Sequence, residues 1–454
     1  MYLILAVANA VLLAHAIRVS ARERPFALLF WVCSAFFAGY PLVVDSIYCA
    51  TGHVDVILSV YRNNADGIPP VLDSTILNRT CMFVFAFNVI FYALLERIGG
   101  QQPRWRSAEL SANAEARARF VAIVVAIGGI LSLAYIVEFE FGGLGASLNQ
   151  SASYYGFGPD GYNSKSRYLK EIANAFIYAA PFAAYFGMRR RQPLLILAGV
   201  VPPLVLAYIT SQRPWLSCVA GVFALYVLGP GREIATRRLN NARRLFGSPW
   251  RLIAIAAIAF ATLFSAYFVR YGRTESFTGD KADAAVESLS SSLLMRDVSM
   301  FVLYWTMDSI PDRLAPIGGF STLHIPATLL HLPIEFPPSE QVGYYLALNR
   351  NGWSDGTLHP TVYGFAFCDL GWGGLVWAGI MAMIIGGAEI VSAGRQERVF
   401  ALAPMMSLLI TVVVRGSPHY GITRAWYSAL LIGILFLLSA TGEREREGMA
   451  HIIS

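Results

Sequence analysis

Charge is scarce in this chain: only 14% of its 454 residues are Asp, Glu, Lys or Arg. A soluble domain carries about a quarter, because its surface must stay hydrated. Hydrophobic residues make up 56%. Most of the surface therefore has to face hydrocarbon, and a string of soluble domains is excluded. Cysteine is sparse as well. Cys33, Cys49, Cys81, Cys218 and Cys368 form no C-x-x-C pair and mostly lie in apolar runs, where cysteine packs as a small hydrophobe. There is no G-x-x-x-x-G-K-[ST] phosphate loop, no H-E-x-x-H and no Cys/His metal spacing, which argues against an ATP-driven pump or a zinc protease. No cofactor is expected. Internal repeats and low-complexity tracts are missing too, and nothing suggests the inverted halves of a transporter.

What is present is a series of apolar runs at about 1–17, 26–49, 77–96, 120–138, 168–188, 193–210, 215–229, 252–269, 364–390, 399–414 and 425–440. The charges between them alternate. One set of connections holds Arg18, Arg22 and Arg24; Arg97, Arg104, Arg106, Arg117 and Arg119; and Arg189, Arg190 and Arg191. The same set continues with Arg232, Arg237, Arg238, Arg243, Arg244 and Arg251, then Arg395, Arg398, Arg444 and Arg446. The positive-inside rule makes this face cytoplasmic, with the N-terminus outside and the C-terminus inside. The net charge of +6 is thus an orientation signal, with no nucleic acid implied. Arg18, Arg22 and Arg24 follow the first run and do not precede it, so it reads as an uncleaved helix. The expectation is an all-α polytopic membrane protein of about eleven transmembrane helices. It forms a single domain over 1–440 with a cytoplasmic tail at 441–454.

The opposite face carries polar segments at about 50–76, 139–167, 270–363 and 415–424, and the tight turn 211–214. A connection as long as 270–363 is uncommon unless functional. Its apolar pieces 300–310 and 325–332 are too short to span, and are expected to lie at the interface or re-enter the membrane. Pro326, Pro333, Pro337 and Pro338 are expected to break it into short elements. The span interiors read as nearly free of charge.

Arginines on the face that the positive-inside rule disfavours call for a reason. Arg213 sits in Ser211-Gln212-Arg213-Pro214-Trp215; Arg270 and Arg273 are three apart at a helix end; Arg415 and Arg424 bracket Gly416-Ser417-Pro418-His419-Tyr420-Gly421. Helix-end anchoring explains any one of them. Together they suit a cationic clamp, since a guanidinium fork grips phosphate oxygens in pairs and stays charged. Five of seven histidines fall on this face: His53, His324, His331, His359 and His419. His359, in Ser354-Asp355-Gly356-Thr357-Leu358-His359-Pro360, is expected close to the membrane surface. It is a candidate general base for a sugar hydroxyl. Asp355, Glu340 and Glu335 compete for that role, and spacing does not choose between them. The aromatics Tyr154, Tyr155, Phe157 and Tyr162 suit either sugar stacking or an interfacial belt.

Three passages resemble a known family, the bacterial Wzy-type oligosaccharide repeat-unit polymerases, O-antigen polymerases among them. Gly356-Thr357-Leu358-His359-Pro360-Thr361-Val362-Tyr363 runs into Gly364-Phe365-Ala366-Phe367-Cys368-Asp369-Leu370-Gly371-Trp372-Gly373-Gly374. This resembles the family's Thr-rich stretch before an aromatic-x-[DN]-F-G-x-x-G helix. Ser211-Gln212-Arg213 resembles its small-polar-Arg turn, and the prolines from Pro326 to Pro338 its external segment. The resemblance implies a GT-C-like helical fold with a long periplasmic loop containing short helices, in the bacterial inner membrane. The implied activity is metal-independent glycosyl transfer, using undecaprenyl-diphosphate-linked saccharides as donor and acceptor among the membrane lipids. A chain-length regulator is an expected partner. Arg213, Arg270, Arg273, Arg415 and Arg424, with His419 and Tyr363, are then expected to bind substrate. His359, Asp355 and Glu340 are the expected catalytic candidates. An O-antigen ligase and a flippase of lipid-linked saccharide are the rival readings.

Overall fold

The computed structural model describes residues 1–54, 72–99, 112–143, 145, 164–210, 215, 218–219, 222, 298–310, 314–330, 332, 342–351, 359–392, 396–416 and 418–453. These are 90% helical and contain no strand. In chain order the helices are α1 (Tyr2–Glu23), α2 (Pro25–Ser34), α3 (Tyr40–Ala50), α4 (Ser74–Gly99), α5 (Ala112–Tyr135), α6 (Ser164–Ala179), α7 (Pro181–Arg190) and α8 (Pro193–Thr210). There follow α9 (Val298–Ser309), α10 (Phe320–Leu329), α11 (Val342–Asn351), α12 (Thr361–Leu370), α13 (Val376–Ser392), α14 (Gln396–Arg415) and α15 (Pro418–Ile453).

By length and apolar composition, six candidate spans stand among the described residues: Tyr2–Ser20, Pro25–Ala50, Ser74–Ile98, Ala112–Phe139, Thr361–Ser392 and Gly421–Ser439. Two shorter apolar helices, Pro193–Ala207 and Leu402–Arg415, join them. The expected runs 215–229 and 252–269 fall mostly or wholly outside the described residues. Large apolar side chains point outward along these helices, with Ile4 74%, Leu131 64% and Leu437 70% exposed. Water would penalise such surfaces, whereas hydrocarbon solvates them. The chain is a helical membrane protein.

Proline sets several local irregularities. Pro41 has no N–H to give the carbonyl four residues back, and the helix widens to π geometry over Ala35–Gly39 just ahead of it. Pro181 begins α7 after a turn at Ala180. Pro326 does not break its segment as expected: it lies inside α10, which continues to Leu329. α10 also begins earlier than the expected piece, at Phe320, because its first turn is capped by a distant carboxylate. α15 runs through Ala440 without a break, so the charged tail continues the last helix.

The chain divides into two compact units. Unit 1 comprises Met1–Gln102, Phe277–Ile390 and Leu409–Thr423; unit 2 comprises Pro103–Ser276, Val391–Leu408 and Arg424–Ser454.

In unit 1, α4 is the reference axis. Its mates at Asn9 and Asn88, and at His15 and Tyr92, advance together along α1, so α1 and α4 run parallel. Phe30 against Phe91 and Ser46 against Cys81 make α2 and α3 antiparallel to α4.

The segment after residue 359, expected as one span over 364–390, is a tight reversal. Tyr363 meets Phe87 and Phe367 meets Phe83, so α12 runs against α4. At Gly371 the backbone turns (φ 58), and Phe365 and Trp377 come back into edge contact with centroids 5.3 Å apart. Twelve residues of straight helix would separate them by about 18 Å. α13 then runs along α4, with Gly379 at Leu94 and Gly386 at Ile98. α12 is therefore a half-helix. Its first turn lies level with Phe87 and Asn88, near the middle of the 26-residue α4.

In unit 2, α7 and α8 form a close hairpin. A Cβ on Gly199 would stand 2.4 Å from the Ala184 backbone nitrogen, so only glycine lets these helices approach so far. α6 and α7 run parallel to α15: Glu171 pairs with Arg424, Ser428 Oγ donates to the Ala175 carbonyl, and Phe182 meets Phe436.

Candidate functional site: a half-helix N-terminus inside unit 1

The start of α12 is built from three constraints. Pro360 restricts the backbone before it. Thr361 takes φ +64, a left-handed conformation that a β-branched residue enters only under constraint. Gly416, with φ +111, follows Arg415 at the end of α14 and presses onto this junction from the other side. A Cβ on Gly416 would lie 2.6 Å from the Thr361 nitrogen and 2.9 Å from the Pro360 nitrogen. Such strain costs about 1–3 kcal/mol and persists where surrounding packing over-determines it. Here Thr361 is fully buried, and its Oγ1 has no hydrogen-bond partner among the described residues.

This backbone contact brings two of the sequence candidates together. His359 lies two residues before Thr361, and Arg415 one before Gly416; both side chains are half-buried. They come from segments more than fifty residues apart in sequence. α12 adds the positive end of its macrodipole at the same place. Discontinuous helices whose N-termini end within the bilayer are a recurrent way to hold anions in membrane proteins. His359 thus lies two residues before a helix whose first turn is level with Phe87 and Asn88, near the middle of α4.

The other candidates separate. Tyr363 is wholly buried, donating its hydroxyl to Asn88 Oδ1 at 3.0 Å, while Asn88 Nδ2 donates to Asn9 Oδ1 at 2.8 Å. This network ties α12 to α4 and α1, so Tyr363 positions the half-helix from behind. Arg424 belongs to unit 2, where it is ion-paired with Glu171. His419 lies in the first turn of α15, and its side chain is outside the description. Arg213, Arg270, Arg273, Asp355 and Glu340 fall outside the described residues. So does the competing base Glu335.

Sequence reasoning passed over Asp369, which carries much of the surrounding architecture. Its carboxylate accepts from the backbone nitrogens of Ser321 at 3.1 Å and Thr322 at 3.0 Å, and from the Thr322 hydroxyl. Its carbonyl accepts from Gly318 and Gly319. Trp377 Nε1 donates to Thr322 Oγ1, and Val342 N donates to Ser321 Oγ. α10 and α11, from the long polar segment, are thereby latched to the far end of the half-helix that starts beside His359. The available signal was an acid inside an apolar run, which is costly in a bilayer unless it has work to do.

Asp369 is not alone, and the expectation of nearly charge-free span interiors is corrected. Asp45 is buried and accepts from Tyr304 at 2.8 Å. Arg79 donates to the Met307 and Ile310 carbonyls at the C-terminus of α9. Glu389 accepts from the Phe26 and Ala27 nitrogens at 2.7 and 3.1 Å, capping α2, and Arg24 pairs with Glu96 close by. Outside the spans, burial holds His324 below its ordinary pKa, keeping it neutral.

Comparison with family models, with curated protein sequences and with solved structures finds no match to this chain.

Proposed function

We propose that the protein is a membrane glycosyltransferase that polymerises undecaprenyl-diphosphate-linked oligosaccharide repeat units into O-antigen or exopolysaccharide. Its site of reaction is the His359–Arg415 junction, and the arginine pattern of the sequence supports a periplasmic assignment in the inner membrane. The observation that carries this reading is the backbone contact between Thr361 and Gly416. It unites a candidate base and a fixed cation at a half-helix N-terminus.

In the reaction, the bond from the donor's anomeric carbon to the diphosphate oxygen breaks, and its electron pair leaves on the diphosphate. Arg415 and the α12 N-terminus stabilise that developing charge without needing to reorganise. The acceptor hydroxyl oxygen forms the new bond to the anomeric carbon, and its proton passes to His359. The buried, strained backbone keeps both groups in register, which is where much of the rate advantage of a bound pair arises.

Arg415→Ala and His359→Ala are expected to abolish long polymer, with rates falling by about 10²-fold or more, while the proteins remain folded and inserted. Normal chain lengths in both variants would refute the assignment. The same experiment separates an O-antigen ligase. A defective polymerase leaves single repeats attached to the lipid acceptor, and a defective ligase leaves none.

A second reading, a flippase of lipid-linked saccharide, draws support from the depth of the half-helix and from the buried charges at Asp45 and Lys170. In proteoliposomes it predicts movement of the lipid-linked unit across the bilayer with no glycosidic bond formed. Product formation without such movement removes it.

A further inference from the structure

Between Arg313 and Glu335 the chain carries no Asp, Glu, Lys or Arg. Such a piece can lie at the membrane interface or within the membrane, and depth separates the two. Phe367 and Trp372 both meet the Phe83 ring, with centroids 5.2 and 5.6 Å away, so the reversal at Gly371 lies level with Phe83. α4 has 26 residues and is thus about 39 Å long. Centred on a hydrocarbon core of about 30 Å, it carries Phe83 roughly 9 Å inside the boundary at its Ser74 end. The backbone ahead of α10 is fastened at that depth. Ile317 N donates to the Cys368 carbonyl at 3.0 Å, and Gly318 N and Gly319 N donate to the Asp369 carbonyl at 2.8 and 3.0 Å. A Cβ on Gly371 would lie 3.6 Å from Pro316. Non-helical backbone persists inside a membrane only where protein satisfies its polar groups, and these bonds do so. α10 then starts at Phe320, with the Asp369 carboxylate accepting from the Ser321 and Thr322 nitrogens. Water would serve the start of an interfacial helix; a helix that starts in hydrocarbon needs an acceptor from the protein.

We propose that α10 is a re-entrant helix immersed in the bilayer, with lipid acyl chains of the leaflet at the Ser74 end of α4 packed on its outward face. Phe320, Leu323 and Leu330 share that face and are 44%, 58% and 68% exposed, whereas Ser321 and Thr322 turn to Asp369. A helix in water would show the opposite polarity. The face is also continuous with the outward surface of the adjoining candidate span. Trp377 of α13 donates to Thr322 Oγ1 at 2.9 Å, and Trp372 and Val376 beside it are 44% and 54% exposed. Hydrocarbon is the partner that suits a face with no charge and no hydrogen-bonding side chain. Asp369 is then the residue that lets a helix begin inside the membrane, and the long connection is in part a membrane element. The inference rests on the helical membrane fold alone, with no appeal to glycosyl transfer.

The test uses the full-length protein in vesicles of phosphatidylethanolamine and phosphatidylglycerol, with nitroxide labels on Leu323→Cys and Leu330→Cys. The signal of the five native cysteines, measured on the parent, is subtracted. Collision rates with oxygen, which concentrates in hydrocarbon, and with a water-soluble nickel chelate are compared with two references. Met82→Cys, at an exposed residue next to Phe83 on α4, marks the proposed depth, and Arg191→Cys, at an exposed residue, marks water. The oxygen-to-nickel ratio at Leu323 is expected to match that at Met82, and the ratio at Leu330 to exceed that at Arg191. A Leu323 ratio as low as that at Arg191 puts α10 in water and overturns the proposal. A ratio between the two references marks the interface and overturns the immersion. Loss of collisions with both reagents also overturns it: with spin–spin broadening the occupant is a second copy of the chain, and without broadening it is protein of the same copy. Should Leu323→Cys fail to fold, Phe320→Cys takes its place. No saccharide or turnover is needed, so this inference and the glycosyl-transfer reading fail separately.

Discussion

Buried charge does different work in the two units. In unit 1 the carboxylates are latches: Asp369 caps α10, Glu389 caps α2, and Asp45 takes the Tyr304 hydroxyl of α9. Asp369 and Glu389 accept from backbone N–H groups that a helix start cannot satisfy alone, and Asp45 ties two short helices through a side-chain bond. In unit 2 the described residues hold one buried cation on α6, Lys170, and a partly exposed ion pair between Glu171 and Arg424. An acid near a helix N-terminus gains from both the N–H groups and the dipole, so it stabilises structure. The Glu171–Arg424 pair instead joins the flanks of two long helices, α6 and α15.

That contrast can be broken most sharply at Asp369. Asp369→Ala leaves two backbone donors and a hydroxyl without their acceptor, and is expected to cost about 2–4 kcal/mol. The loss should appear as a lower melting midpoint of the purified protein. Asp369→Asn, which keeps an acceptor, should lose clearly less. If both variants melted like the parent, the latch would be no latch.

Next in size is Gly416→Ala. The new methyl meets the Thr361 and Pro360 backbone while adopting φ +111, at an expected cost of about 1–3 kcal/mol. Activity should fall with it, because the His359–Arg415 junction opens. Thr361→Gly runs the opposite way: it relieves the left-handed strain and should gain up to about 1 kcal/mol, while loosening the site and lowering turnover. A melting curve and a chain-length assay on the two variants together separate strain from packing.

The smallest effect concerns pH. Burial lowers the His324 pKa, so the unfolded chain takes up its proton first as pH falls. The stabilising contribution of neutral His324 is complete above about pH 6.5 and is lost as pH drops from there through the lowered value. His324→Leu should flatten the melting midpoint across that window. An unchanged slope would mean that the acid sensitivity arises elsewhere.

The membrane character was legible because the apolar runs repeat along the chain and need no partner to be recognised. Runs such as 77–96 and 120–138 became α4 and α5 with modest extensions. The bend in the second run was less visible, although Pro41 marked it. The reversal at Gly371 was hidden. Both arms are apolar, so composition over Thr361–Ser392 is that of a single span, while the turn depends on a positive-φ glycine and on the fold-back of Trp377 onto Phe365. His359 and Arg415 were chosen for residue type and location. Their meeting was out of reach, because nothing local in either segment encodes the other. Lys170 and Glu171 lie near the start of the expected run 168–188, where nothing local marks them out.

The sequence by itself determined the solvent of this protein, the kind of secondary structure it uses and the residue types available for chemistry. These follow from local hydrophobicity and from the need to satisfy every backbone group within hydrocarbon. Only the tertiary structure decided which helices stop halfway, which carboxylates cap them, and that the backbone beside His359 meets the backbone beside Arg415. Those outcomes come from hydrogen bonds and close backbone contacts between segments far apart in the chain, and such contacts leave no periodic trace in either segment alone.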